Sequence, residues 1–208
     1  MELVSAPGGL AMTFRPTPVP ALPKALGTGV PKSPEEVAEI LKERVGASAL
    51  KPFVKAAKGD SILHVETEKL LDVLKVIRDD DRLLCTHMLC VSAVDYLAKK
   101  GTPATETAPA VPDEPGRIEV VYHVSSFTHR HIVAIKVAVD REAPKVPTAS
   151  DLFRAANWYE RECYEMTGVE FTNHPHLENL LLPSDWVGHP LRRDYVFPEE
   201  YNGMKVPL

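Results

Sequence analysis

The clearest pattern of apolar and polar positions along this chain lies in residues 117–125 and 131–139. Apolar residues occupy every second position of both stretches, as a pleated strand requires: Ile118, Val120, Tyr122 and Val124, then Val133, Ile135, Val137 and Val139. Only a few residues around Phe127 separate the stretches, which predicts an antiparallel hairpin. Several intervening positions are also apolar, so the hairpin is predicted to be central in its sheet and covered on both faces.

Two helices are predicted before the hairpin. The first begins at Ser33, where Ser33 and Glu36 form a capping box, and it ends at Gly46. Thr67 is predicted to cap the second helix, which stops at 79–81. Their apolar stripes follow helical spacing: Val37, Ile40, Leu41 and Val45 in the first helix, and Leu70, Leu71, Leu74 and Ile77 in the second.

The remaining elements are predicted from shorter patterns. Residues 49–56 and 61–66 are predicted to be strands. Residues 83–97 are predicted to start as a helix and to continue as a strand through Val91–Tyr96, and 99–116 form a loop rich in Pro, Thr and Ala. The third helix is predicted to open at residues 148–151 and to run to about Met166, with Gly168 just past its end.

These elements predict an α+β fold with a mixed or antiparallel sheet, a central hairpin and three main helices. Residues 1–32, which are rich in Pro and Gly, are predicted to be a flexible N-terminal arm. Residues 33–168 form the predicted core domain. Residues 169–208 show no sustained period and are predicted to be an extended tail that binds a partner.

Composition narrows the function classes. The formal net charge of −5 argues against general nucleic-acid binding, which needs a basic surface. Three cysteines without a CxxC pair fit a reducing compartment, and no apolar run approaches the roughly 18 residues that span a bilayer. The sequence therefore predicts a soluble protein in the cytoplasm, with any membrane association made through partners.

Candidate chemistry is sparse in this sequence. No GxGxxG, GxxxxGKS, GxSxG or HExxH motif is present, and scattered cysteines do not supply the thiolates of an iron–sulfur cluster. His174, His176 and His189 are candidate metal ligands with Cys163 nearby, although their spacing matches no standard site. Cys163 falls on the apolar stripe of its helix and is predicted to be a core residue. The catalytic, cofactor-binding and metal-binding residues are accordingly predicted to be none.

Two places have the composition of a protein interface, in which Trp, Tyr and Arg are enriched. One is a polar stripe on the third helix, centred on Trp158. The other is the irregular stretch 185–195. The predicted contact residues are Arg154, Trp158, Arg161, Glu162 and Glu165 on the helix, and Trp186, His189, Arg192, Arg193, Asp194 and Tyr195 on the tail. An extended tail without an apolar face is expected to gain little by packing on its own domain.

The same two places carry a resemblance to a known family. Trp158–Met166 resembles the W-[FY]-E-R-E-x-[YWF]-[DE]-[ML] core of the 30 kDa subunit of complex I (NADH-quinone oxidoreductase), which is also called its C subunit. The segments His174-Pro175, Leu180–Trp186 and Gly188–Tyr195 continue this pattern in order and spacing. Upstream, Val94-Asp95-Tyr96 and Ile118–His123 are similar to two strands of that family. The sequence departs from the pattern at three places: Asn173 replaces a glycine, Glu178-Asn179 replace a basic residue, and Thr167 replaces an aromatic residue.

The resemblance implies an accessory subunit of the peripheral arm of a proton-pumping NADH:quinone oxidoreductase. Such a subunit supports the D subunit, which reduces quinone, and lies near the B subunit, which carries the last cluster. FMN and the iron–sulfur clusters are then expected in partner subunits, and the chain is expected at the cytoplasmic face of the membrane, without a catalytic site of its own. Two alternatives remain: the equivalent subunit of a membrane-bound hydrogenase, formate hydrogenlyase or F420H2 dehydrogenase, and a free-standing metal-dependent enzyme that uses the histidine-rich tail.

Overall fold

The computed structural model describes residues 29–53, 61–101 and 113–206, and within these ranges the chain forms three α-helices and eight strands. The helices are α1 (Pro34–Val45), α2 (Leu70–Asp79) and α3 (Ala156–Thr167). The strands are β1 (Ile62–His64), β2 (His87–Tyr96), β3 (Arg117–Ser126), β4 (His131–Asp140), β5 (Lys145–Pro147), β6 (Glu170–Thr172), β7 (Glu200–Tyr201) and β8 (Met204–Lys205). The predicted α+β class is confirmed.

The main sheet has the strand order β1-β4-β3-β2, so the β3–β4 hairpin occupies its two central positions as predicted. β3 pairs antiparallel with β4 on one side and with β2 on the other. β1 pairs parallel with β4, which makes the sheet mixed. Tyr122 and Ile135 lie opposite each other in this pairing and are fully buried in the hydrophobic core.

The first helix follows the sequence prediction closely. Ser33 Oγ accepts the N–H of Glu36, and the Glu36 carboxylate accepts the N–H of Ser33, so both halves of the capping box are present. Gly46 follows the last helical residue with a φ of 102°, a conformation that favours glycine. α1 packs against α2, and both helices contribute apolar side chains to one continuous core.

The start of the second helix differs from the prediction. Thr67 opens a short 3₁₀ turn, Thr67–Lys69, and α2 begins only at Leu70. Thr67 is not the capping residue, because it is the first residue of this turn and the N-cap position belongs to Glu66. The predicted stop at 79–81 is confirmed, since α2 ends at Asp79.

Two of the predictions from short patterns are wrong, namely the strand at 49–56 and the helix at the start of 83–97. Residues 49–53 form no strand; Leu50 makes a single bridge to Val65, because this segment only touches the outer edge of β1, and residues 54–56 lie outside the described residues. No helix starts at residue 83. Leu83 and Leu84 donate to the carbonyl of Asp80 in a turn, and β2 begins at His87 because it pairs along β3.

The third helix begins eight residues after the first predicted capping position, at Ala156 instead of within 148–151. The preceding residues form turns instead, in which Leu152 and Phe153 donate to the carbonyl of Ala149. The predicted C-terminal end is confirmed, since Gly168 follows with a left-handed φ of 79° and donates to the carbonyl of Tyr164. α3 packs against β2.

The predicted N-terminal arm is described only over its last residues, because 1–28 lie outside the described ranges. Gly29 donates its N–H to the carbonyl of Thr128 in the turn of the β3–β4 hairpin at 3.0 Å. The Lys32 ammonium pairs with the Glu36 carboxylate at 3.2 Å. Residues 29–32 therefore already contact the core, while the predicted domain boundaries stay predictions.

Candidate partner-binding surface

Helix α3 divides its side chains between the core and the surface. Cys163 is buried against β2, where its thiol contacts the carbonyl of Val91, and burial raises its pKa to about 12. The prediction that Cys163 is a core residue is confirmed. On the opposite side Trp158 is 61% exposed, and Glu162 is also exposed. Arg154, which was predicted to lie on the helix, is exposed in the turn that precedes it, because α3 begins only at Ala156. The exposed part of the predicted stripe is therefore a genuine surface.

Glu160 points inward from α3 and holds the turn that precedes the helix. One carboxyl oxygen accepts the N–H of Ala149 at 2.7 Å, and the other lies 2.5 Å from the hydroxyl of Thr148. The side chain is fully buried, and this desolvation raises the pKa of Glu160 from 4.5 to about 8. Thr148 was predicted to open the helix; it contacts the side chain of Glu160 instead, which explains why α3 starts later.

Glu165 is the second carboxylate of α3 that points inward. Its oxygens accept the backbone N–H groups of Leu180, Leu181 and Leu182 at 2.8 to 3.0 Å. Its side chain is only 2% exposed. Glu165 was predicted to contact a partner; that prediction is wrong, because the side chain fastens the tail segment 180–182 of the same chain.

The tail also closes the C-terminal end of α3, where a helix leaves carbonyl groups without partners. His189 Nδ1 donates to the carbonyl of Glu165 at 3.0 Å, and the Leu191 N–H donates to that of Met166 at 2.9 Å. Arg192 Nε donates to the carbonyl of Thr167 at 2.8 Å, and its positive charge suits the negative end of the helix dipole. His189 and Arg192, predicted as partner contacts, thus have bonds within the chain.

Gly168 makes this close approach of the tail sterically feasible. A Cβ at this position would lie 2.6 Å from His189 Nε2 and 2.8 Å from an Arg192 guanidinium nitrogen. The residue also has a left-handed φ, so a side chain would be strained on two counts. The glycine that ends α3 therefore also admits the tail.

A third polar contact fixes the tail to the edge strand β2. Arg141 makes a two-fold contact with Asp95, with Nε and one terminal nitrogen at 2.7 and 3.0 Å from its carboxylate oxygens. Asp95 also accepts the backbone N–H of Arg193 at 2.9 Å, and Arg141 reaches on to Asp194. Burial acts to raise the pKa of Asp95, but the Arg141 guanidinium and the Arg193 N–H together outweigh it, so the pKa of Asp95 is lowered.

These contacts change the interpretation of the tail. The expectation that it gains little by packing on its own domain is wrong for residues 180–194, because buried carboxylates and helix carbonyls bind it at several points. The tail is irregular but not detached. Among the predicted tail contacts, Arg193 and Asp194 are exposed. Trp186 and Tyr195 are half-buried.

Arg161 links the exposed face of α3 to the same tail. Its guanidinium donates to the carbonyls of Glu178 and Asn179 at 3.1 Å each, and it lies 5.7 Å from the centroid of the Trp158 ring. These bonds fix the Arg161 side chain, and its positively charged guanidinium lies over the face of the Trp158 indole ring. Trp158 is thereby presented on a supported surface although it is itself exposed.

The end of the described tail forms a small aromatic cavity of about 250 Å³. Trp186 and Tyr201 form one side with ring centroids 5.2 Å apart, and Tyr195 lies nearby with its ring edge-on to Phe197. The Tyr201 hydroxyl donates to Asp185 at 2.9 Å, and this bond raises the pKa of Tyr201. The cavity brings together parts of the tail that no periodic sequence pattern connects.

The candidate metal ligands are used otherwise. His174 is buried: its Nε2 donates to the carbonyl of Asn157 at 3.1 Å and its Nδ1 accepts the N–H of His176 at 3.1 Å. Both ring nitrogens are therefore occupied, and burial lowers the pKa of His174. In residues 29–53, 61–101 and 113–206, no group of three or more His, Cys, Asp or Glu side chains is placed to hold a metal ion.

The three departures from the family pattern have structural explanations. Asn173 adopts a φ of 63°, and asparagine tolerates this conformation better than most residues that replace glycine. Thr167 is buried, and its hydroxyl donates to the carbonyl of Cys163 at 2.7 Å. Glu178 and Asn179 contribute backbone carbonyls to Arg161, which any residue pair can supply. The departures are thus compatible with the observed packing.

The fold and the site define an α+β protein that presents one face of α3 together with a folded-back tail. Over the described parts of the chain, no helix is both long and apolar enough to cross a membrane. Residues 63–201 match the family described as the 30 kDa subunit of respiratory-chain NADH dehydrogenase. The chain belongs to this family.

Curated relatives carry the same description. The chain is 41% identical over 137 residues to the C subunit of NADH-quinone oxidoreductase from Roseiflexus castenholzii, a match that covers 66% of this chain and 70% of that protein. It is 33% identical over 199 residues to the C subunit of the same enzyme from Chloroherpeton thalassium, covering 92% of this chain and 74% of the relative.

Two solved structures share the fold. One is a trypsin-resistant fragment of Nqo5, with a TM-score of 0.51 and 24% identity over 68% of this chain and 99% of that chain. The other belongs to a membrane-bound sulfane sulfur reductase, an archaeal respiratory membrane complex, with a TM-score of 0.53 and 23% identity over 78% and 84% of the two chains. At these identities the likeness concerns the fold.

Proposed function

We propose that this chain is an accessory subunit of the peripheral arm of a proton-pumping NADH:quinone oxidoreductase. It supports the D subunit, which reduces quinone, and lies near the B subunit at the cytoplasmic face of the membrane. FMN and the iron–sulfur clusters belong to partner subunits, and this chain contributes binding surface instead of a redox centre. Relatives of 33 to 42% identity that are named as the C subunit of NADH-quinone oxidoreductase support this assignment over the hydrogenase-type alternatives.

The observation that carries the proposal is the exposed Trp158 on a supported helix face. A large aromatic side chain that is 61% exposed beside a bonded arginine has the properties of a binding hot spot. Arg161 and the tail segment 178–182 immobilise the neighbouring surface before any partner binds. Such preorganisation lowers the entropy cost of docking. Arg154 and Glu162 extend the same exposed face with charges of both signs.

The structure sharpens how this surface is tested. Removal of the tail after Pro183 would also remove the groups that cap α3, so loss of assembly could reflect damage to the helix. Substitution of Trp158 by Ala avoids that problem, because an exposed side chain contributes little to folding. We expect Trp158→Ala to weaken association with the other peripheral-arm subunits by about 30-fold, which corresponds to roughly 2 kcal/mol at a hot spot. The association is measured by the amount of each variant that co-purifies with the other subunits from membranes.

The matched control is Ile132→Ala on strand β4, because Ile132 is 61% exposed, the same as Trp158, but lies on the hairpin. Both variants should keep the wild-type free energy of unfolding within about 0.5 kcal/mol. Only the Trp158 variant should be depleted from the complex. Equal recovery of both variants would show that this face of α3 is ordinary surface and that the proposed interface is misplaced.

A further inference from the structure

The aromatic cavity at the end of the tail has a chemical character that the proposed interface does not explain by itself. Its walls combine the rings of Trp186, Tyr195 and Tyr201 with the apolar groups of Val187, Val196 and Pro198. Two carboxylates, Asp185 and Glu200, complete the lining. Among the described residues that line it there is no Lys, Arg or His. Aromatic faces and carboxylates both attract cations, so the two parts of the lining favour the same kind of ligand.

The size of the cavity limits what can enter it. Cavities for drug-sized molecules range from about 300 to 1,000 Å³, whereas this one measures about 250 Å³ and is built from a surface segment. It therefore fits one side chain better than a cofactor. Four of its eight lining residues, Asp185–Val187 and Tyr195, lie in the stretch that was predicted to contact a partner, so a partner chain that binds this stretch would pass beside the cavity.

The two carboxylates differ in how available they are to bind a cationic ligand. Asp185 is exposed and bonds Tyr201 through one oxygen, which leaves its second oxygen for a ligand. Glu200 lies opposite Lys205 across the β7–β8 hairpin, which places a cationic residue beside it in the pairing. Asp185 is accordingly the stronger anionic contact. An arginine suits this arrangement, because its planar guanidinium stacks on an aromatic ring while its edge donates to a carboxylate.

We propose that this cavity receives a cationic side chain, an arginine by preference, from the partner protein on which the tail docks; the partner role rests on the proposed function. The guanidinium lies against Trp186 and Tyr201 and donates to Asp185. The contact is a specificity element, since a neutral side chain at the same place would leave Asp185 without a counter-charge. It complements Trp158, which supplies apolar area on helix α3.

The test uses the full-length chain with Trp158→Phe, which leaves Trp186 as the single tryptophan of the two in the sequence. The probe is the peptide acetyl-Gly-Arg-Gly-amide, and its control contains citrulline, a neutral isostere of arginine. We expect saturable quenching of Trp186 fluorescence by the arginine peptide, with binding about fivefold tighter or more than that of the citrulline peptide. Asp185→Asn should remove this preference. Glu200→Gln should reduce it less, because Glu200 lies opposite the cationic residue Lys205 in the β7–β8 hairpin.

Glu199→Gln is the matched control, since it removes the same charge from an exposed neighbour that does not line the cavity. Equal quenching by both peptides, or equal behaviour of Asp185→Asn and Glu199→Gln, would overturn the inference. Co-purification of the unchanged chain with NADH:quinone oxidoreductase subunits separates the two proposals. If it co-purifies but the arginine peptide does not bind, this inference alone is wrong. If the peptide binds but the chain does not co-purify, the proposed function is wrong and the cavity remains a site for cations.

Discussion

The β3–β4 hairpin and the region formed by α3 with the tail 174–206 are held together by different interactions. The hairpin is central in its sheet, and apolar side chains such as Val120, Tyr122 and Ile135 pack around it. The α3–tail region depends on a few polar contacts, in which Glu165 and Asp95 bind backbone N–H groups. The comparison teaches that this protein has a core whose stability is distributed over many contacts and a binding surface whose geometry depends on single side chains.

The largest effect is expected from the hairpin. Replacement of the fully buried Ile135 by Ala should lower the free energy of unfolding by about 3 kcal/mol, because it removes apolar burial and leaves a cavity. Urea denaturation measures the loss for the whole domain. Ile132 on the same strand is 61% exposed, so Ile132→Ala should lower the free energy of unfolding by less than about 0.5 kcal/mol. Equal losses in the two variants would contradict a core centred on this hairpin.

An intermediate effect is expected from Glu160, the buried carboxyl that joins α3 to the preceding turn. Its pKa is raised from 4.5 to about 8, so the folded chain keeps a proton that the unfolded chain releases. Glu160 therefore contributes its full stabilisation to the folded state below about pH 4.5, and this stabilisation is lost as the pH rises through about 8. We expect the free energy of unfolding to fall across this range because of this group.

The matched variant for this pH dependence is Glu160→Gln, which keeps the shape of the side chain and cannot ionise. Its free energy of unfolding, measured by urea denaturation at several pH values, should lack the fall attributed to Glu160. As the pH rises, the free energy of unfolding of the variant should therefore increase relative to that of the unchanged chain. A parallel pH profile in the two proteins would show that Glu160 is not protonated in the folded state.

The smallest effect on global stability is expected from Glu165, although its local effect is large. In Glu165→Gln the neutral amide accepts the N–H groups of Leu180–Leu182 less strongly, which should cost roughly 1 to 2 kcal/mol in the attachment of this segment. Hydrogen exchange of residues 180–182 should become faster, while exchange in β3 and β4 stays unchanged. Glu162→Gln, on the exposed side of the same helix, is the control. Faster exchange throughout the sheet would mean that the tail and the core unfold together.

The sequence predicted the parts of the fold that depend on local periodicity. The hairpin, helix α1 and the end of α3 at Gly168 lie where alternation, a capping box and a glycine place them. The start of α3 was misplaced, because the capping residue types at 148–151 bind other partners. A single signal could have corrected this: Glu160 lies on the same side of α3 as the core residue Cys163, where a carboxylate requires a partner.

The candidate surface was predictable in part. Trp158 and Glu162 are exposed where helical spacing put them, whereas Arg154 is exposed in the turn that precedes α3. Glu165 has the same residue type as Glu162 and lies one turn further along the helix, yet it is buried. No periodicity separates these two glutamates, because the difference arises only when residues 180–182 fold back over the helix.

By itself, then, the sequence determined the fold class, the central hairpin, the start of α1, the end of α3 and the family, since each depends on patterns within one segment or on motifs in a fixed order. Only the tertiary structure decided the course of the tail. His189, Leu191 and Arg192 meet α3 because the helix leaves carbonyl groups unpaired at its end, and Arg193 meets Asp95 across the edge of the sheet. These contacts join residues far apart in the chain, and their geometry exists only after the core has formed.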